Sequence, residues 1–150
     1  MAAEGLTTMR SGFAPDETMN RLAAQVAARG MTIFARIDHA TGATAAGLSL
    51  RPTAVLIFGH AKGGTPLMQA SQTIGIDLPL KALVWQDADG QTWLSYNEPT
   101  WLAARHGIGH GDGLGDGLGD GLGIDGGADP VIANLSAVLR GVAQAATSQA

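Results

Sequence analysis

From Gly107 to Gly123 every second residue is glycine, and inside that run Asp-Gly-Leu-Gly occurs three times in succession. Glycine at that density loses too much backbone entropy on ordering to be held in a helix or a packed strand. The stretch "IGHGDGLGDGLGDGLGIDGG" (108–127) is therefore expected to be a flexible spacer. Residues 1–107 then have to make an α+β domain. Residues 128–150 can add one amphipathic helix, packing back on that domain or on a second copy of it. Two calcium readings of the repeat fail on spacing. An EF-hand loop needs acidic residues two apart and a closing Glu, whereas Asp recurs here every four residues and no Glu follows. The nonapeptide calcium repeat has a different period.

A chain of 150 residues suffices for about one domain with a real core. It contains no cysteine, which excludes disulfides, thiolate metal sites and cysteine nucleophiles. The formal charge is −4, from 13 acidic against 9 basic residues, but Asp112, Asp116, Asp120 and Asp125 all sit in the glycine run and the remainder is balanced. No basic stripe is visible, so no nucleic-acid partner is expected. The N-terminal "MAAEGLTTMR" lacks the basic start and apolar run of a secretory signal. No apolar stretch approaches the roughly 20 residues of a membrane span. A soluble cytoplasmic protein with no membrane segment is the expectation.

The pattern of apolar residues predicts five strands, at 5–10, 31–37, 53–58, 80–86 and 91–97, in a mixed or antiparallel sheet. "TAVLIF" (53–58) is an unbroken apolar run, which reads as a strand covered on both faces. "LKALVWQ" and "QTWLSYN" flank the turn "DADG", a hairpin signal. Helices are predicted at 16–29, 98–106 and 130–146, with short ones near 39–46 and 65–71. Asp16, Asp38 and Thr65 are their expected caps, and Pro66, Pro99 and Pro130 stand near helix starts. The last helix carries Val131, Leu135, Val138 and Val142 as one stripe, widened by Ile132 and Leu139, so it needs a packing partner. The predicted fold is a small two-layer α+β domain.

"FGHAKGGTPLMQ" (58–69) resembles a phosphate-binding loop and is not one. A Walker loop places Lys directly after its second glycine and a hydroxyl next. Here Thr65 follows Gly64 directly, Lys62 precedes the glycine pair, and Pro66 removes a backbone donor. Thr65 and the amides after it could still hold a small anion or carboxylate, against the plainer reading of a cap in a tight turn.

The pieces "IDHA", "LRPT", "IFG", "GTPLMQ", "IGIDLPLK", "VW" and "SYNEP" follow one another in order between residues 35 and 107. In these the chain resembles the bacterial and archaeal family called domain of unknown function 302. The resemblance implies a small homodimeric α+β domain with no settled biochemical activity. His60 stands where relatives often carry Asn. The glycine run replaces a connection that is usually short, as an expansion between two native elements would.

Polar residues inside the matched pieces are the candidates for ligand contact: Asp38, His39, Thr65, Gln69, Asp77 and Lys81. Asp38 and His39 adjoin at a strand end, where they suit an acid/base pair or half a metal site. Alternatively Asp38 caps a helix and His39 is partly buried and hydrogen-bonded. A metal site would need a third ligand, for which His60, His106 and Asp77 are unordered candidates. Asp77 and Lys81 either orient a polar ligand or pair with each other at the surface. Thr65 and Gln69 lie one helical turn apart. Trp85, Trp93, Tyr96 and Trp101 are either core or the wall of an apolar pocket. No serine lies in a nucleophile elbow and no carboxylate pair has the right spacing, so no catalytic residue is assigned. No metal or cofactor is expected. The sequence favours a dimeric module that binds a small molecule or a partner protein. The alternative is a metal-assisted or acid/base enzyme centred on Asp38 and His39.

Overall fold

The computed structural model describes residues 3–108 and 129–148. The glycine run therefore lies outside the described residues from Gly109 onward; of its first residues, Ile108 is buried. The strands are β1 (Leu6–Ser11), β2 (Thr32–Asp38), β3 (Thr53–Gly59), β4 (Leu80–Gln86) and β5 (Thr92–Asn97). The helices are α1 (Pro15–Ala28), α2 (His39–Ala45), α3 (Ala61–Ala70), α4 (Pro99–Arg105) and α5 (Asp129–Thr147), with a 3₁₀ helix at Gln72–Asp77. The sheet order is β1-β5-β4-β3-β2, and every neighbouring pair is antiparallel. The α+β class and the five strands stand as expected.

Register decides which residues meet the helices. Across β3, β4 and β5, Leu56 lies beside Ala82 and Tyr96, Ala54 beside Val84 and Leu94, and Phe58 beside Leu80. These residues form one face. Met19, Leu22 and Val26 of α1, Leu67 of α3, Leu102 of α4, and Leu135, Leu139 and Val142 of α5 cover it. Leu56 and Phe58 lose all solvent contact there, and each such side chain stabilises the fold by about 1.5–3 kcal/mol.

The opposite face is different. Val55 and Ile57 of β3, Leu83 and Trp85 of β4, and Trp93 of β5 are only half-buried, and Ile37 of the edge strand β2 is exposed. "TAVLIF" is thus covered on one face within the chain, not on two. It is apolar throughout because its second face also carries apolar residues.

The C-terminal helix packs along α1. Its end is tied down by Arg21, whose guanidinium donates to the carbonyls of Ala145 at 3.2 Å and Ser148 at 3.1 Å while lying over the Phe13 ring. A cation on the last carbonyls of a helix is favoured by both hydrogen bonding and the dipole. The Gly12 amide adds a bond to the Thr147 carbonyl at 2.9 Å. At the N-terminus of α1, Ala14 occupies the cap position without a side-chain bond, and Asp16 sits in the first turn. The expected Asp16 cap is therefore absent, and Asp16 contributes only charge near the helix start.

The segment 58–70 differs most from the sequence expectation. α3 begins at Ala61 rather than after Thr65, and Pro66 lies inside it. The cap is His60, whose Nδ1 accepts the Lys62 amide at 3.0 Å, while its carbonyl accepts from Gly63 and Gly64. The glycine pair takes helical backbone angles once this cap has ordered the first turn.

Candidate functional site

At one end of the sheet the chain encloses a pocket of about 580 Å³. Its floor comes from Met31 just before β2, Gly59 at the end of β3 and Leu80 at the start of β4. Gly75, Leu78 and Pro79 form one side. The first turns of α3, from His60 to Gly64 together with Met68, form a second, and Val131, Leu135 and Val138 of α5 form a third. Phe34 reaches the pocket because β2 bulges there: Ile33 pairs with Phe58 and Ala35 with Ile57, leaving Phe34 without a partner. The bulge turns its ring outward, 58% exposed, onto the pocket mouth.

Glycine makes room. A Cβ at Gly63 would stand 3.1 Å from Leu135 Cδ2, and one at Gly75 would stand 3.3 Å from Met68 Sδ. Side chains at these positions would crowd the pocket wall. Met31 and Met68 are soft, adaptable surfaces that conform to irregular apolar shapes. The polar lining residues Arg29, His60, Lys62 and Asn134 are all exposed, whereas Leu80 and Leu135 are buried. The pocket is apolar within and polar at its rim, the usual build of a small-molecule site.

None of the six residues singled out from sequence lines it. Asp38 and His39 sit at the far end of β2, roughly 23 Å from Met31 at the rise of an extended strand. Asp38 caps α2, with Oδ1 accepting the Thr41 amide at 3.0 Å. That backbone bond, first among the causes, holds its carboxyl below the ordinary value. The His39 side chain is exposed, with no hydrogen-bond partner among the described residues, so the reading of it as partly buried and hydrogen-bonded is not met. Thr65 and Gln69 are exposed residues of α3. Lys81 belongs to the open face of the sheet and points its ammonium toward the Pro79 carbonyl at 3.4 Å.

Asp77 does not pair with Lys81. Its Oδ2 accepts from Arg105 at 2.5 Å and bonds His106 Nε2 at 2.6 Å, and His106 Nδ1 meets the Thr73 hydroxyl at 2.9 Å. Partial burial pushes the Asp77 carboxyl up, and the bonds from His106 and Arg105 outweigh it, leaving the group below its ordinary value. The chain Thr73–His106–Asp77, with Ser71 Oγ on the His106 carbonyl at 2.8 Å, ties the 3₁₀ helix to the end of α4. Among the described residues no three His, Asp or Glu side chains converge as a metal site.

The aromatics divide. Trp85 and Trp93 stack on the open face with centroids 6.2 Å apart, their indole N–H groups donating to Ser95 Oγ and Asp87 Oδ2. Tyr96 is core, its hydroxyl pushed up by burial and then by Glu98, which also accepts from Thr7. Trp101 packs over Gly5. The pocket was missed because its signal is the glycines of 59–75, which read as turn chemistry until the chain is folded.

A family model described as "Domain of unknown function DUF302" matches residues 7–140. The crystal structure of an uncharacterized conserved DUF302 protein from Bacillus stearothermophilus superposes with a TM-score of 0.73 at 18% identity, covering 96% of this chain and 99% of that one. That likeness is one of fold. Over 105 residues the chain is 50% identical to the fluoride-specific ion channel FluC 1 of Brucella suis biovar 1 (strain 1330), a match covering 70% of this chain and 41% of the relative. It is equally similar to FluC 1 of Brucella abortus biovar 1 (strain 9-941), of which 39% is matched. The chain thus spans about two fifths of the length of these relatives.

Proposed function

The chain belongs to the DUF302 family, and from that premise we propose that it is a binding module that holds a small, largely apolar molecule in the pocket between α3, α5 and the sheet end. One observation carries this reading: an apolar cavity of drug-like size, about 580 Å³, rimmed by polar side chains. The glycines in its walls support it, since they keep open a space that ordinary side chains would fill. Nile red, a neutral apolar dye, provides the test. Saturable binding at one dye per chain, abolished by Val138→Trp in a protein that still melts cooperatively, is the expected result. Binding untouched by Val138→Trp would remove the pocket from consideration.

A second reading rests on the open sheet face, where Ile37, Val55, Ile57, Leu83, Trp85 and Trp93 form an apolar surface that is only partly covered among the described residues. We read it as the contact surface of a two-fold homodimer, in which the same patch of each copy covers the other. The enzyme alternative loses its support at Asp38 and His39, where one side chain is a helix cap and the other stands exposed.

The Brucella names concern proteins of which this chain matches about two fifths. No helix among the described residues is long and apolar enough to cross a membrane. We therefore read the matched part as a domain attached to those channels, separate from the ion path.

A further inference from the structure

Among the described residues, the rim of the pocket has one sign of charge. Arg29 and Lys62 line it together with the polar His60 and Asn134, and no described Asp or Glu is among the lining residues. The chain as a whole carries −4, so this positive rim is local and does not follow from composition. Among the described residues, neither the Arg29 nor the Lys62 side chain has a hydrogen-bond or ion-pair partner. His60 Nδ1 accepts the Lys62 amide, so the neutral ring carries its proton on Nε2 and offers a further donor. Arg29 is also placed by the backbone opposite. Its guanidinium lies against α5 at Gly141, where a Cβ would stand 2.6 Å from Nη1.

We propose that the pocket takes an amphipathic monoanion, an acyl or aryl chain ending in a carboxylate, with its tail among the methionines and leucines and its carboxylate at the Arg29–Lys62 rim. This deepens the binding-module reading and rests on it. An apolar interior selects the tail by burial, and two unpaired cations at the mouth select the sign of the head group. The glycine at 141 lets Arg29 lie flat beside the entrance, which makes Gly141 a positioning residue for that charge.

Calorimetric titrations of the full chain with decanoate, decanol and decyltrimethylammonium, all below micelle formation, test the assignment. Decanoate should bind tightest, with an affinity that falls as salt rises. Arg29→Gln and Lys62→Gln should each weaken decanoate roughly two- to fivefold, the range for exposed charge pairs, and leave decanol unchanged. Gly141→Ala should weaken decanoate with no loss of melting temperature, because only the far end of a flexible side chain has to move. Val138→Trp should abolish all binding. Equal affinity for decanoate and decanol, preference for the ammonium, or an unaffected Arg29→Gln/Lys62→Gln double variant would overturn the anion assignment while the pocket reading survives. If none of the three probes binds, or if Val138→Trp leaves decanoate binding intact, both fall together.

Discussion

Adding a single methyl group at Gly5 should damage this fold out of proportion to its size. Gly5 precedes β1 with φ +74, and its carbonyl accepts the Glu98 amide at 2.8 Å, so the backbone is pinned where β5 passes into α4. The Trp101 ring lies directly above: a Cβ would stand 2.2 Å from Cγ and 2.4 Å from Cδ2. Two costs therefore add in Gly5→Ala. The left-handed backbone costs an L-residue about 1–2 kcal/mol, and overpacking against a rigid indole about 1–3 kcal/mol. The stiffer unfolded chain returns about 0.4–1 kcal/mol, leaving a net loss of about 1–4.6 kcal/mol. For a domain of this size that lowers the melting temperature by roughly 2–18 °C. Gly90→Ala is the internal control, since φ there is +81 and nothing lies within 4 Å of the added carbon. It should cost only about 1 kcal/mol, the backbone part less the unfolded-state gain. Urea unfolding followed by circular dichroism measures both, and repeating Gly5→Ala in a Trp101→Ala background should shrink its cost to that of Gly90→Ala. Equal destabilisation by Gly5→Ala and Gly90→Ala in the wild-type background would refute the reasoning, because the indole would then contribute nothing.

Three further outcomes are expected. Asp38→Ala should speed hydrogen exchange at the Thr41 amide while barely moving the global melt, since α2 buries no residue; Asp38→Asn should leave both near wild type. Because the Asp77 carboxyl is depressed in the folded state, its contribution to stability is present above about pH 4 and is lost as pH falls further. Asp77→Asn should therefore flatten the fall in melting temperature below that pH, and an unchanged pH profile would mean the Arg105 and His106 bonds carry no weight. Ile57→Lys or Leu83→Lys should halve the mass seen by light scattering at micromolar concentration if the open sheet face joins two copies; a wild-type mass of one chain would end the dimer reading.

Strands and long helices were legible because their signals are local. Alternation, β-branched content and the turn "DADG" mark the hairpin whatever surrounds it. Asp38 was legible as a cap for the same reason. The start of α3 was not, because "KGGTP" carries the marks of a turn and the residue that orders it, His60, is not a usual capping type. Asp77 could not be matched to Arg105 and His106 in advance, since that pairing depends on how α4 docks on the 3₁₀ helix, 28 and 29 positions along the chain. The pocket was hidden for a similar reason. Its walls come from four separate stretches, and no single one of them is distinctive before they meet.

The pairing of β1 with β5 sets a timetable for the nascent chain. Thr8 and Ser95 share a hydrogen bond across 87 positions, so at about 5–20 residues per second the first strand waits roughly 4–17 s for β5 to be synthesised. The carbonyls that hold Gly12 and Arg21 arrive later still, with Ala145, Thr147 and Ser148. Throughout that interval Leu6–Ser11 lacks the strand it pairs with in the fold, and an unpaired strand is the kind of segment that captures a second chain or a chaperone. Yield in cells should therefore respond more to changes that slow translation between β1 and α5 than to comparable changes before β1.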